Sequence, residues 1–145
     1  MLQPGILKWI KRVTALGLVL ALFLPLSHCV ITPPPGKKEA APIVMEHYAV
    51  YESKSPLVGY LPGLFLLLPG ILLLVELAAR SRRGVQGFLQ LLAGTLSLLV
   101  VASHAFIAKL LLGGYLVLFC ALGFLLAVLV ELVLLFLNRK GGAGG

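Results

Sequence analysis

Residues 57–79 read LVGYLPGLFLLLPGILLLVELAA and contain a single charged side chain, Glu76. The basic residues Arg80, Arg82 and Arg83 follow directly. A bilayer core about 30 Å thick needs about 20 apolar residues in a helix, because backbone polar groups cannot stay unpaired in lipid. Residues 57–79 meet that length, so we predict that they form a membrane-spanning helix.

The composition of the whole chain supports a membrane protein. The chain has 145 residues, of which 60% are hydrophobic and 12% charged, and its mean hydropathy is +1.07. These values lie outside the range of soluble domains. The net charge of +7 comes from short basic groups between long uncharged runs, a distribution that sets membrane orientation. We therefore expect the lipid bilayer as a partner and no nucleic-acid partner.

Three further apolar runs predict three further spans, at about 13–31, 85–107 and 112–137. A single helix over 85–137 would be about 80 Å long, more than twice the hydrocarbon thickness, so we predict a tight hairpin near Lys109. The predicted fold class is an all-α integral membrane protein with four transmembrane helices. It forms one domain over residues 1–145, with an outer loop at 32–56 and a flexible glycine-rich tail at 141–145.

Basic residues on alternate sides of the four predicted spans indicate the orientation. Eight lie on one side (Lys8, Lys11, Arg12, Arg80, Arg82, Arg83, Arg139 and Lys140) and four on the other (Lys37, Lys38, Lys54 and Lys109). The basic side of membrane proteins faces the cytoplasm. We therefore predict a multi-pass protein of a bacterial-type inner membrane with both termini cytoplasmic.

The N-terminal segment also has the outline of a lipoprotein signal, because a basic start and an apolar run precede Cys29. The residue before a lipidated cysteine is small, whereas His28 stands here, so we predict an uncleaved first span. Cleavage at Cys29 is the alternative, and it would leave three spans. Cys29 and Cys120 form neither a disulfide framework nor a C-x-x-C metal motif, so we predict no metal site.

Rare residues recur at equal spacing in the predicted spans. In the second and fourth spans, the pairs Gly59-Tyr60 and Gly114-Tyr115 recur, and each tyrosine stands 16 residues before a glutamate, Glu76 or Glu131. In the first and third spans, the pairs Ser27-His28 and Ser103-His104 recur, and each histidine stands three residues before an isoleucine, Ile31 or Ile107. Leucines match by chance in such runs, but Glu, His and Tyr are scarce there. The pattern predicts two tandem helical hairpins related by internal duplication.

Glu76 and Glu131 are the intramembrane carboxylates of the predicted spans. Glu76 stands one helical turn before Arg80, which predicts a local ion pair at the membrane surface. Glu131 lies seven residues before Asn138, about 10 Å deeper than the helix end. An ionisable group at that depth indicates a functional site, and its expected partner is the 80–83 arginine cluster or a group on another protein.

His28 and His104 would lie at similar depth on the first and third spans. Two histidines on facing helices can provide both axial ligands of a b-type haem, which is the alternative in which the chain binds a cofactor. The other interpretation is that each histidine makes a hydrogen bond to a helix end or a lipid headgroup. Pro62 and Pro69 are expected to remove backbone hydrogen bonds from the second span.

The chain contains no phosphate-binding loop, H-E-x-x-H helix, nucleophile elbow or paired-carboxylate motif, so we predict that it is not an enzyme. The preferred function is a non-catalytic accessory or scaffold subunit that packs against other membrane-protein subunits or against itself. One alternative is a redox membrane anchor that binds haem or quinone through His28 and His104. A further alternative is a small oligomeric transporter that uses Glu76 and Glu131.

Overall fold

The computed structural model describes residues 4–31, 43–49, 56–78, 83–107 and 109–141. Within these ranges the chain forms four α-helices: α1 (Pro4–Leu20), α2 (Pro56–Ala78), α3 (Arg83–Ile107) and α4 (Leu112–Gly141). A short 3-10 helix (Ala21–Phe23) follows α1. Three strands complete the described elements: β1 (Ser27–Ile31), β2 (Ile43–His47) and β3 (Lys109–Leu110).

Three of the helices are long and apolar enough to cross a bilayer. The qualifying segments are Tyr60–Ala78, Gly84–Phe106 and Leu112–Asn138, with 19, 23 and 27 residues. They coincide with the second, third and fourth predicted spans, and the end of α3 at Ile107 and the start of α4 at Leu112 agree with the predicted hairpin. The chain is therefore a helical membrane protein, as its composition predicted.

The first span differs from the prediction. We predicted a helix over 13–31, whereas α1 covers Pro4–Leu20 and the chain then passes through the 3-10 helix into β1. The helix can begin at Pro4, since a proline fits the first helical position. It ends before Pro25, and Leu24 is extended with φ −107° and ψ 145°, as expected of a residue before proline. The shift places Lys8, Lys11 and Arg12 inside the helix, not before it.

A small sheet lies at the end of the bundle where α1 finishes and α3 turns into α4. Its strand order is β2-β1-β3, and both pairings are antiparallel. Leu26 donates its backbone N–H to the His47 carbonyl at 2.8 Å and accepts from Leu111 at 2.9 Å. The all-α prediction missed this sheet. Of the predicted outer loop, 32–42 and 50–55 lie outside the described residues.

Pro69 and Ser97 link α2 to α3. A proline has no N–H, so Pro69 leaves the carbonyl of Phe65, four residues earlier, without its partner in the helix. The buried Ser97 hydroxyl of α3 donates to that carbonyl at 2.9 Å. A side chain of the neighbouring helix thus satisfies the group that the proline frees, as membrane helices require.

The apolar core runs along the bundle axis in two clusters. One includes Leu18, Leu66, Val101 and Val117, and the other is formed by Ala15, Leu73, Phe124 and Val128. Glycines let the elements approach closely: a Cβ added at Gly113 of α4 would lie 2.6 Å from the Pro25 carbonyl oxygen. Such close contacts are typical of membrane helix packing.

Candidate functional site: a buried lysine between two glutamates

Lys11 is the largest fully buried side chain in the described part of the protein, with 1% of its surface exposed. It belongs to the inward face of α1, together with Leu7, Ala15 and Leu18, which are also buried. These positions are spaced three and four residues apart, so they share one side of the helix. The neighbouring Lys8 and Arg12 are exposed. The helical repeat of α1 therefore places Lys11 inside the bundle and leaves Lys8 and Arg12 at its surface.

The Lys11 ammonium contacts one polar side chain on each of the other three helices. Its Nζ donates to Glu131 Oε2 of α4 at 2.5 Å, to Glu76 Oε2 of α2 at 3.1 Å and to Gln90 Oε1 of α3 at 3.3 Å. An ammonium has three donors, and three side chains accept from it. We call Lys11, Glu76, Gln90 and Glu131 the Lys11 cluster.

Gln90 connects two members of the cluster to each other. Its Oε1 accepts from Lys11, and its Nε2 donates to Glu76 Oε2 at 2.6 Å. Gln90 is 1% exposed, and a buried amide without partners is costly. Both ends of this amide are satisfied inside the cluster, so it orients the Glu76 carboxylate toward Lys11.

The cluster lies toward the bundle end where α1 and α3 begin and α2 and α4 end. Glu76 is two residues before the end of α2 at Ala78, and Glu131 is ten residues before the end of α4 at Gly141. The two carboxylates keep 26% and 29% of their side-chain surface exposed, against 2% for Lys11. The cation is therefore enclosed, while both anions reach partly outward.

Two carboxylates share one ammonium, so the cluster has a formal charge of −1 when both are ionised. A cavity of about 10 Å³ adjoins it, lined by Gln86, Gly87 and Leu132 among others. This volume corresponds to about one water molecule. The Gln86 Nε2 is buried there and has no hydrogen-bond partner within the described ranges. The cluster thus has one excess negative charge and one nearby polar donor.

The sequence predicted the two carboxylates as intramembrane groups, and the structure brings both to one cation. Within the described residues the partner of both carboxylates is Lys11. Residues 80–82 and the side chain of Arg83 lie outside the described residues, so the pairing of Glu76 with Arg80 and that of Glu131 with the arginine cluster stay predictions. Sequence reasoning missed Lys11 and Gln90. The spacing of Lys11 from Leu7, Ala15 and Leu18 is the signal that could have revealed it.

The two histidines lie on elements of different kinds. His28 is in β1, paired with Glu46 of β2 and Lys109 of β3. His104 is in α3, and its Nδ1 lies 2.8 Å from the Val100 carbonyl oxygen of the same helix. The interpretation that each histidine bonds to a helix end or a lipid headgroup stays a prediction. Haem ligation by His28 and His104 stays a prediction.

The helices and the Lys11 cluster define a class of protein: a small helical membrane protein in which the buried Lys11 of a shorter helix forms ion pairs with two of the three long helices and a hydrogen bond with the third. Comparisons with protein-family models, curated proteins and solved structures give no match to this chain.

Proposed function

We propose that this chain is a non-catalytic accessory or scaffold subunit of a larger membrane complex in a bacterial-type inner membrane. The Lys11 cluster is the observation that carries the proposal, because one ammonium contacts side chains of the other three helices. In the described bundle, the ion pairs of Lys11 with Glu76 and Glu131 hold the helices together. Such a bundle offers a partner a stable apolar surface.

The cluster has particular value in lipid. Apolar side chains there gain little from leaving lipid for another helix, so packing and polar contacts determine which helices associate. An ammonium bonded to three helices selects one arrangement of the four, since any other arrangement would leave a buried charge unpaired. This supports a structural role for Glu76 and Glu131.

The outward faces of the helices supply the surface for a partner. Large apolar side chains are exposed on every helix, including Trp9, Leu74, Phe88, Phe119 and Leu126. In a membrane such faces contact lipid or another helix. An accessory subunit needs only small size, short polar connections and broad apolar faces. It does not need a catalytic or transport site.

The proposal includes α1 as a fourth span and both termini in the cytoplasm. The 17 residues of α1 reach about 25 Å, near the lower limit for crossing a bilayer. Lys8, Lys11 and Arg12 lie inside α1, and without them five basic residues (Arg80, Arg82, Arg83, Arg139 and Lys140) still outnumber the four on the other side. The basic-side rule therefore favours the same orientation.

The proposed internal duplication has mixed support. Glu76 and Glu131 would be equivalent residues of the two hairpins, and both bind Lys11. Ser27-His28 lies in a strand and Ser103-His104 in a helix, so this second pair differs in local structure. A duplication limited to the second and fourth helices agrees best with these observations.

The test is extraction of the full chain from native membranes in mild detergent, followed by mass spectrometry of the proteins that co-purify. We expect larger membrane subunits at constant stoichiometry. Photo-crosslinking residues placed at the outward positions Phe119 and Leu126 should capture the same subunits, whereas one at Val44, in the sheet, should not. A small homogeneous oligomer without other subunits would overturn the proposal.

An oligomeric transporter is the second candidate, and the charge imbalance of the cluster favours it. Two partly exposed carboxylates share one ammonium, so the cluster carries one negative charge that a transported proton or cation can balance. Under this alternative Glu131→Gln abolishes coupled flux in vesicles while insertion stays normal. Under the accessory-subunit proposal, the wild-type chain alone produces no such flux.

A further inference from the structure

A second, larger cavity opens between α1 and α2, beside the Lys11 cluster. It has a volume of about 160 Å³ and is lined by Lys8 and Arg12 of α1 and by Leu73, Glu76 and Leu77 of α2. We call it the α1–α2 groove. It combines two cationic side chains with an apolar wall.

The cationic side of the groove follows from the helix repeat. Lys8 and Arg12 are four residues apart, so they lie on one side of α1, and both are exposed. In the described part of the chain neither forms a salt bridge. The two cations are therefore available to an anion that enters the groove.

Glu76 is the one carboxylate among the described residues that line the groove, and it already has its own partners. Its Oε2 accepts from Lys11 Nζ at 3.1 Å and from Gln90 Nε2 at 2.6 Å. Glu76 shares the Lys11 ammonium, which is outside the groove lining, with Glu131, so the Lys11 cluster keeps one negative charge beside the groove. With the two cations Lys8 and Arg12 added, the groove and the adjoining cluster together carry a net charge of +1.

The apolar wall suits a hydrocarbon chain. Leu73 and Leu77 are one helical turn apart on α2, with Leu73 nearly buried and Leu77 exposed. The groove lies at the end of the span Tyr60–Ala78, where lipid headgroups meet the hydrocarbon core. Basic pockets between membrane helices at this level bind anionic headgroups, and Arg with Lys is a strong combination for phosphate.

We propose that the α1–α2 groove is a binding site for an anionic phospholipid. Lys8 and Arg12 bind the headgroup phosphate, and one acyl chain lies along Leu73 and Leu77. This site is separate from the proposed subunit function, because it needs only α1 and α2 of this chain. A bound lipid would cover the opening beside Glu76 and keep water from that side of the cluster.

The test uses native mass spectrometry of the full chain released from nanodiscs that contain equal amounts of phosphatidylglycerol and phosphatidylcholine. We expect wild-type protein to retain phosphatidylglycerol selectively. The double variant Lys8→Gln/Arg12→Gln should bind it about 30-fold more weakly, given the contribution of each basic residue near a membrane surface. The matched control is Arg139→Gln, which removes a cation of α4 from the same proposed side.

Three results would overturn the proposal. Equal retention by the double variant would show that Lys8 and Arg12 do not bind the lipid. An equal loss in Arg139→Gln would indicate general attraction to the basic side. Complete displacement by soluble glycerol 1-phosphate would indicate a site for a small anion, with no contribution from an acyl chain. The unfolding temperature of the double variant should equal that of the wild type, which would show that the variant loses lipid although it is still folded.

Discussion

Lys11 Nζ of the first helix lies 2.5 Å from Glu131 Oε2 of the last helix, although 120 positions separate the two residues. This pair fixes α1 against α4, and Glu76 and Gln90 extend the same contact to α2 and α3. The two ends of the chain are therefore joined by electrostatics as well as by packing.

Removal of the Lys11 ammonium should destabilise the bundle. In Lys11→Met two carboxylates remain close together without a cation, and breaking a buried ion pair costs about 3 kcal/mol or more. We expect the free energy of unfolding in detergent to fall by about that amount. Lys8→Met, which removes an exposed cation one turn earlier, is the control and should change it by less than about 0.5 kcal/mol. Equal effects of the two substitutions would contradict the described burial of Lys11.

The interaction between Lys11 and Glu131 can be measured by a double-mutant cycle. Residues in one ion-pair network show coupling energies of about 0.5–3 kcal/mol, whereas distant residues are additive. We expect Lys11→Met and Glu131→Gln to be coupled by more than about 1 kcal/mol. The same cycle with Glu46→Gln, a substitution in the sheet, should give additive effects. Additivity in the first cycle would show that the two side chains do not interact.

The bond from Ser97 to Phe65 predicts a dependence on Pro69. Ser97→Ala leaves a buried carbonyl unpaired, which costs about 1–3 kcal/mol. In a Pro69→Ala background the new N–H can bond to Phe65 within α2, so the effect of Ser97→Ala should shrink. Ser103→Ala, which removes a hydroxyl bonded to its own helix, is the control. Unfolding measurements in which Ser97→Ala costs the same in both backgrounds would argue against this explanation.

Gly113 is the position where the start of α4 meets the chain after α1. An alanine Cβ would lie 2.6 Å from the Pro25 carbonyl oxygen, and backbone atoms cannot move aside as a side chain can. We expect Gly113→Ala to destabilise the protein by about 1–3 kcal/mol. Gly5→Ala is the matched control in α1, since an added Cβ there has no neighbour within 4 Å. Equal free energies of unfolding for the two variants would contradict the close approach of Gly113 to the Pro25 carbonyl.

Tyr48 should titrate at higher pH than an ordinary tyrosine. Its hydroxyl donates to Glu46 Oε2 at 3.0 Å, and this bond and the negative charge of Glu46 raise the pKa of Tyr48. The contact favours the protonated phenol, so its contribution to folding is present below the ordinary tyrosine pKa and is lost as pH rises through the raised value.

An ultraviolet absorbance titration of wild-type protein against Tyr48→Phe isolates this residue among the four tyrosines. Glu46→Gln should move the pKa of Tyr48 back toward its ordinary value. A titration curve for Tyr48 that does not change in Glu46→Gln would show that the two side chains are not in contact in solution.

The long spans were predictable because the length of an apolar run is a local property. The start of α1 was not, since Lys8, Lys11 and Arg12 fit the pattern of residues that flank a span. Of these three residues only Lys11 is buried in the bundle, because Glu76 and Glu131 accept hydrogen bonds from its ammonium there. Glu131 was expected to have a partner, but the identity of that partner depends on how four helices pack.

The sheet was missed for a related physical reason. Ser27–Ile31 continues the apolar run of the first span, and local composition favours extending the helix. It is a strand because β2 and β3 lie on either side of it, and both come from distant parts of the sequence. Pro25 was visible in the sequence and marks the place where the helix had to end.

The Lys11 cluster also bears on the order in which the protein is made. The ammonium of Lys11 leaves the ribosome first, Glu76 follows 65 residues later and Glu131 a further 55 residues after that. A nascent chain that contains only α1 and α2 already holds one balanced ion pair, so the first hairpin can assemble early. The final carboxylate arrives only with the last helix, and completion of the bundle therefore waits until almost the whole chain has been synthesised.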